Sequence, residues 1–314
     1  MGVISLLVLF FGLFFSACVG SQGVHTPSNS SMVSKHFEAP IKKIAPKNEL
    51  KCRVVKPTPS NSNKIVTKTK MSTNDITPYL RKHHLSLLVP LYSYPAGKGF
   101  KYWKKLIKYK KNHQDINIIV IANPNDGDFR SANRDYVRAI KLLISAHIKV
   151  IGYVYTEYTN RSIYDIKDNV DAWSKFYKKF GVSGIFFDEI SSKHQKLHFY
   201  KKLSAYARSK GFNFIALNPG VTTDSAYINS HIANLVVSFE RPYSDVVYAS
   251  EDDAWNTPND KTSLGLLVYG VDDDVNGLQN SINLAIQHNF KYVCFITDGI
   301  KNIRWTTLST YMNK

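Results

Sequence analysis

Cysteine is nearly absent: Cys18, Cys52 and Cys294 are the three in 314 residues. Three scattered thiols cannot build the disulfide framework of a small secreted domain, so stability has to come from a buried core. Cys294 lies in an apolar run and reads as a small core residue. Acidic residues are also scarce, 24 against 41 Lys and Arg, which leaves a formal net charge of +17. So basic a chain is compatible with a polyanion or a membrane surface, yet it carries no nucleic-acid-binding motif, and charge alone does not specify that partner. Strongly apolar sequence of any length is confined to Gly2–Ala17, too short for a comfortable bilayer span.

Metal-ligand spacing is missing as well. His194 and His198 stand four apart, as in zinc proteases, but the glutamate that should follow the first histidine is Gln195. Asp272-Asp273-Asp274-Val275-Asn276-Gly277 resembles the start of a calcium loop, but its twelfth position is Asn283 rather than Glu, so the bidentate ligand is lacking. Helix capping is the better reading of that run. Neither a metal nor a cofactor is expected.

What is present divides into three parts. Residues 1–18 read as an export signal, an apolar segment ending at Cys18. Phe15-Ser16-Ala17-Cys18 resembles the lipobox of bacterial lipoproteins, in which the cysteine is lipidated and becomes the new N-terminus. Phe15 replaces the usual Leu, and no Lys or Arg precedes the apolar run, so plain secretion or an uncleaved anchor stays open. Residues 19–83 are rich in Ser, Thr, Asn, Pro and Lys without a sustained apolar period. Between Ser21 and His84 twelve basic residues face three acidic ones. Such a segment buries too little to offset its chain entropy and is expected to be a flexible basic linker, with Cys52 an incidental thiol.

Residues 84–314 hold the folded unit. Eight short apolar runs recur: Leu85–Tyr92, Ile116–Asn123, Val150–Tyr155, Gly184–Glu189, Phe212–Asn218, Leu235–Glu240, Leu264–Tyr269 and Tyr292–Thr297. Stretches with helical spacing separate them, such as Val170, Trp173, Phe176-Tyr177. Near-continuous hydrophobicity marks parallel strands buried on both faces, and alternation with helices marks βα units. Eight such units predict an α/β fold of the (β/α)8 TIM-barrel type, an open doubly wound sheet being the alternative. No glycine-rich phosphate loop follows the first run, which speaks against a nucleotide-binding version.

Barrels of this kind place their active sites at the C-terminal strand ends. Those ends are Tyr92 (with Tyr94), Asn123, Tyr155, Asp188-Glu189, Asn218, Glu240, Tyr269 and Thr297-Asp298. A charge at an apolar strand end is costly unless it is paired or used. Glycoside hydrolysis needs two carboxyl groups, one giving a proton to the leaving oxygen and one attacking or activating water. Burial beside Phe239 is expected to raise the pKa of Glu240, as an acid requires. Adjacent strand residues point to opposite faces, so Asp188 and Glu189 cannot share a role while both are in the strand. Pairing with Arg or Lys, or capping of the next helix, is the structural alternative for all three acids.

Six segments carry a family resemblance: Val89-Pro90-Leu91-Tyr92-Ser93-Tyr94-Pro95, Asn123-Pro124-Asn125-Asp126-Gly127, Gly152–Tyr158 with Arg161, Gly184–Glu189, Leu217-Asn218-Pro219-Gly220 and Phe239-Glu240. Together they resemble the spherulin-4 family of glycoside hydrolases, related to the endo-α-1,4-polygalactosaminidases. The resemblance implies endo-hydrolysis of an α-1,4-linked galactosamine or N-acetylgalactosamine polymer, with Asp188, Glu189 and Glu240 as the essential acids. Asp188 is then expected to be nucleophile or charge stabiliser, Glu240 acid/base and Glu189 a positioning group. A substrate acetamido group could instead replace the nucleophile, with Asp188 orienting it. Asn123 and Asn218 suit sugar hydroxyl or acetamido groups, or simply make turns before Pro124 and Pro219. Tyr92, Tyr155 and Tyr269 could stack on sugars or be barrel packing, and Trp255 could be a glycan platform or a loop anchor. The expected partner is a polysaccharide met by an exported monomer, with no nucleic acid and no membrane contact beyond an N-terminal lipid anchor. The competing readings are a barrel that only binds an envelope glycan and the same machinery acting on another hexosamine polymer.

Overall fold

The computed structural model describes residues 75–249, 255–271, 275–297 and 305–312. The export segment with Cys18, Cys52, nearly all of the linker, Asp272–Asp274 and Asp298 lie outside the described residues.

All eight expected runs are strands: β1 (Ser86–Leu91), β2 (Ile118–Ala122), β3 (Lys149–Tyr155), β4 (Val182–Asp188), β5 (Phe214–Leu217), β6 (Leu235–Pro242), β7 (Ser263–Tyr269) and β8 (Tyr292–Phe295). Each pairs in parallel with the next, and β8 closes on β1 through Ser86–Tyr292 and Leu87–Val293. The result is the closed eight-stranded β/α barrel rather than an open sheet. Helices α1 (Thr77–Lys82), α2 (Phe100–Asn112), α3 (Arg134–Ser145), α4 (Ile163–Phe176), α5 (Leu197–Ser209), α6 (Ala226–Asn229), α7 (Tyr243–Tyr248) and α8 (Val275–Gln287) accompany it.

Side chains alternate between two cores. One fills the barrel with Leu88, Ile121, Ile151, Phe186, Ala216, Val237, Leu267 and Cys294. The other lies between strands and helices and includes Val89, Trp103, Val154, Trp173, Phe187, Tyr200 and Phe239. Gly152 faces the outer layer because a Cβ there would run into the Trp173 ring.

The folded unit begins before the expected boundary at His84. Ile76 and Leu80 are buried in the outer core, and the Ile76 N–H donates to the Tyr311 carbonyl at 3.3 Å. The two apolar side chains are one helical turn apart in an otherwise polar stretch, enough to dock α1.

Candidate active site

The strand ends aim their side chains by parity. Interior positions Ile121, Tyr153, Phe186, Ala216 and Leu267 are each followed, two residues on, by Asn123, Tyr155, Asp188, Asn218 and Tyr269, and Leu88 is followed four residues on by Tyr92. With a side-chain period of two, all six continue the interior face into the barrel mouth.

Glu240 obeys a different rule. Leu235 and Val237 face the interior, so a regular strand would turn Phe239 inward and Glu240 outward. The pairing with β7 runs Val237–Gly265 and then Phe239–Leu266, skipping Ser238. This one-residue bulge sends Phe239 to the outer core and Glu240 to the mouth. The Ser238 hydroxyl donates to Asn256 Oδ1 at 3.0 Å, and Asn256 also bonds the Thr223 N–H, hydroxyl and carbonyl. The expectation that Phe239 shields the Glu240 carboxyl is therefore corrected: Phe239 stacks on Trp255 in the other layer.

Asn218 joins the two acids. Its Nδ2 donates to Asp188 Oδ1 at 2.7 Å and to Glu240 Oε2 at 2.5 Å, while its Oδ1 accepts from the Gly220 N–H at 3.1 Å. Asp188 Oδ1 also accepts the Glu189 N–H at 2.9 Å, and the Tyr153 hydroxyl bonds the same carboxylate. Burial nonetheless outweighs these donors and raises the Asp188 pKa above its ordinary value. Glu240 Oε1 accepts from Trp305 Nε1 at 2.9 Å. Gly220, at φ +65°, makes the turn that brings its carbonyl to the Glu240 N–H at 3.0 Å.

Glu189 leaves the strand at φ +53°, which breaks the alternation, so Asp188 and Glu189 line one cavity of about 270 Å³ together with Asn218, Glu240 and Tyr158. Its pKa is raised by burial first, then by Asp188, Glu157 and Asp126. Asp126 was not among the expected site residues. It sits at φ +50° in the turn after β2, accepts the Asn123 Nδ2–H at 3.0 Å, and its charge acts on Asp188 and Glu189. Asn123 Oδ1 is buried with no hydrogen-bond partner among the described residues.

The model of spherulation-specific family 4 matches residues 86–314. The chain belongs to the spherulin-4 family. Spherulin-4 of Physarum polycephalum is 27% identical over 237 residues, covering 73% of this chain and 68% of that protein. The crystal structure of Aspergillus clavatus Sph3 in complex with GalNAc matches with a TM-score of 0.59 at 22% identity, over 73% of this chain and 94% of that one. That likeness shows the fold.

In this spherulin-4 family barrel the remaining expected residues separate. Tyr92 lies edge-on to Tyr153 at 5.6 Å, and burial holds its hydroxyl well above its ordinary pKa. Tyr269 is buried and edge-on to Trp305 at 6.3 Å. Tyr155 carries the Arg161 guanidinium 4.0 Å over its ring, and Arg161 also donates to the Tyr155 carbonyl at 2.7 Å. One face of that ring is thus already occupied. Trp255 is a loop anchor, stacked on His288 at 4.1 Å and on Phe239 at 5.9 Å. The Cys294 thiol is buried in the barrel interior and pushed up to about 12, which leaves it inert. His194 bonds Asp224 at 3.0 Å and precedes α5, where His198 sits, so the two histidines do not share one continuous helix. Among the described residues no cluster suited to a metal ion occurs.

Trp305, like Asp126, is a residue at the barrel mouth that sequence reasoning missed. It follows β8 by ten residues, and its one signal was an isolated tryptophan in a polar segment.

Proposed function

We propose that this protein is an endo-acting glycoside hydrolase that cleaves an α-1,4-linked galactosamine or N-acetylgalactosamine polymer. The observation that carries the reading is the Asn218 bridge. A single amide nitrogen 2.7 Å from Asp188 Oδ1 and 2.5 Å from Glu240 Oε2 keeps those oxygens no more than roughly 5 Å apart. Glycosidases that retain anomeric configuration hold their carboxyls at about 5–5.5 Å, and inverting ones at about 6.5–9.5 Å.

In this reading Glu240 protonates the leaving oxygen and later takes a proton from water. Asp188, held by Tyr153, the Glu189 N–H and Asn218, attacks the anomeric carbon or stabilises its charge. With an N-acetylated unit the acetamido oxygen can make the attack while Asp188 orients it; either route inverts twice and so retains configuration. Asn123 acts through its Nδ2, which holds the Asp126 carboxylate at 3.0 Å. Asp126 and Glu189 shape the negative field of the mouth. We place the reaction outside the cytoplasm, following export by residues 1–18 with or without lipidation of Cys18.

The test is glycan cleavage by the full chain. Partly deacetylated α-1,4-galactosamine polymer, chitin oligomers and peptidoglycan are each incubated with it, products are read by mass, and the first-formed anomer is read by NMR. Oligomers from the galactosamine polymer, retained in configuration and lost in Asp188→Asn and Glu240→Gln, support the reading. Glycan held by the protein without any product overturns it and leaves a binding module.

A further inference from the structure

A second cavity of about 560 Å³ adjoins the acidic one and shares Tyr158, Pro219 and Val221 as a common wall. The two differ in charge. The first is lined by Asp188, Glu189 and Glu240 together with Arg241, which faces Asp245 at 3.7 Å; the second has Lys193 and Lys196 and no carboxylate in its lining. Neither lysine has an ion-pair partner among the described residues. The nearby acid Asp224 is engaged by His194 at 3.0 Å. Asn160, Ser191 and Ser192 add short polar groups of the kind that meet sugar hydroxyls.

The shared wall is built with strain. Glu157, Tyr158 and Thr159 are three consecutive non-glycine residues with φ of +49°, +52° and +80°. Such a run persists only where its surroundings over-determine it. Here the Tyr158 N–H donates to the Glu189 carbonyl at 2.7 Å, and the buried Thr156 hydroxyl donates to the same carbonyl at 2.8 Å. The backbone that carries the acids therefore also sets Tyr158, whose side chain remains exposed where the two cavities meet. A large aromatic ring held out in water at the lip of a polar cleft is suited to stacking on a sugar face.

We propose that the second cavity is a subsite for an anionic sugar unit: Tyr158 stacks on the chain as it leaves the acidic pocket, and Lys193 and Lys196 bind a carboxylate, phosphate or sulfate on the next residue. The inference rests on the glycosidase reading and adds to it that the preferred polymer carries acid groups beside the bond to be cut. Confining the carboxylates to one cavity and leaving the other with lysines alone fixes which part of a mixed polymer lies at Asp188 and Glu240.

The test is calorimetric binding to the full chain carrying Asp188→Asn, which prevents turnover. Two probes are used: an α-1,4-N-acetylgalactosamine oligomer, and the same oligomer with its primary hydroxyls oxidised to carboxylates. The oxidised probe is expected to bind about five- to tenfold tighter at low salt, as two exposed charge pairs allow. That gap is expected to close in the added Lys193→Gln/Lys196→Gln double variant. Tyr158→Ala is expected to weaken both probes by a similar factor, about three- to tenfold. Equal affinity for the two probes, or a gap that survives loss of both lysines, overturns this inference while leaving the cleavage test untouched. Binding of neither probe overturns it together with the reading it rests on.

Discussion

Asp188 and Glu240 take their hydrogen bonds from one and the same atom, Asn218 Nδ2, at 2.7 and 2.5 Å. Two carboxylates at this distance repel when both are ionised, and a donor shared by both offsets part of that repulsion. The bridge also fixes their separation, because Asn218 is itself held by the Gly220 N–H at 3.1 Å.

Asn218→Ala is expected to raise the pKa of Asp188 further, since Asn218 is one of the donors that lower it. A donor to the charged form lowers a carboxyl pKa, so its loss favours the proton and moves the acid limb of the kcat/KM–pH profile to higher pH. An unchanged acid limb with a lower plateau would mean that Asn218 only shapes the mouth.

Trp305→Phe keeps an aromatic ring beside Tyr269 but removes the 2.9 Å donor to Glu240 Oε1. A hydrogen bond to a charged group is worth about 1.5–3 kcal/mol. A fall in kcat of about 10- to 100-fold is expected, with KM changed far less and Tm nearly constant. A loss confined to KM would make Trp305 a binding group instead.

Asp188→Asn is expected to stabilise the fold at neutral pH. The folded-state pKa of Asp188 is raised by burial above its unfolded value of 3.8, so the native state prefers the protonated form. The carboxyl therefore costs no stability below pH 3.8, and its cost grows as pH rises through the folded-state value. Thermal melts of wild type and variant should coincide near pH 3 and diverge toward pH 7, the variant melting higher. Parallel curves at all pH values would refute the ionisation argument.

Asn256→Ala removes the side chain that ties the Ser238 bulge to Thr223. Leaving these buried groups unpaired is expected to cost about 1–3 kcal/mol, a fall in Tm of about 2–10 °C. Activity should fall by more than stability explains, because the bulge is what aims Glu240. Activity that follows the folded fraction alone would show that the bulge holds without Asn256.

The barrel was legible in the chain because its physical cause is local and repeated. Eight apolar runs the length of a strand, alternating with helical spacing, have few compact arrangements, and all eight are strands within two residues of the expected ends. Period-two alternation then carries Tyr92, Asn123, Tyr155, Asp188, Asn218 and Tyr269 to the mouth once the interior face is known. The docking of α1 through Ile76 and Leu80 was not legible, since two apolar residues in a polar stretch become a core only when a barrel floor lies beneath them.

What the amino-acid order determined by itself was the set of strands, the end of the barrel that gathers polar side chains and the acids placed there, because hydrophobic periodicity and the directionality of βα units act over a few residues. Tertiary structure decided how those acids lie relative to one another. The bulge at Ser238, whose hydroxyl bonds Asn256 18 residues away, turns Glu240 inward against the parity of its strand. Trp305 reaches Glu240 across 65 residues, and Asn218 meets Asp188 across 30. Such contacts follow from closure of the barrel, which brings the ends of all eight strands around one axis, and no local pattern along the chain encodes them.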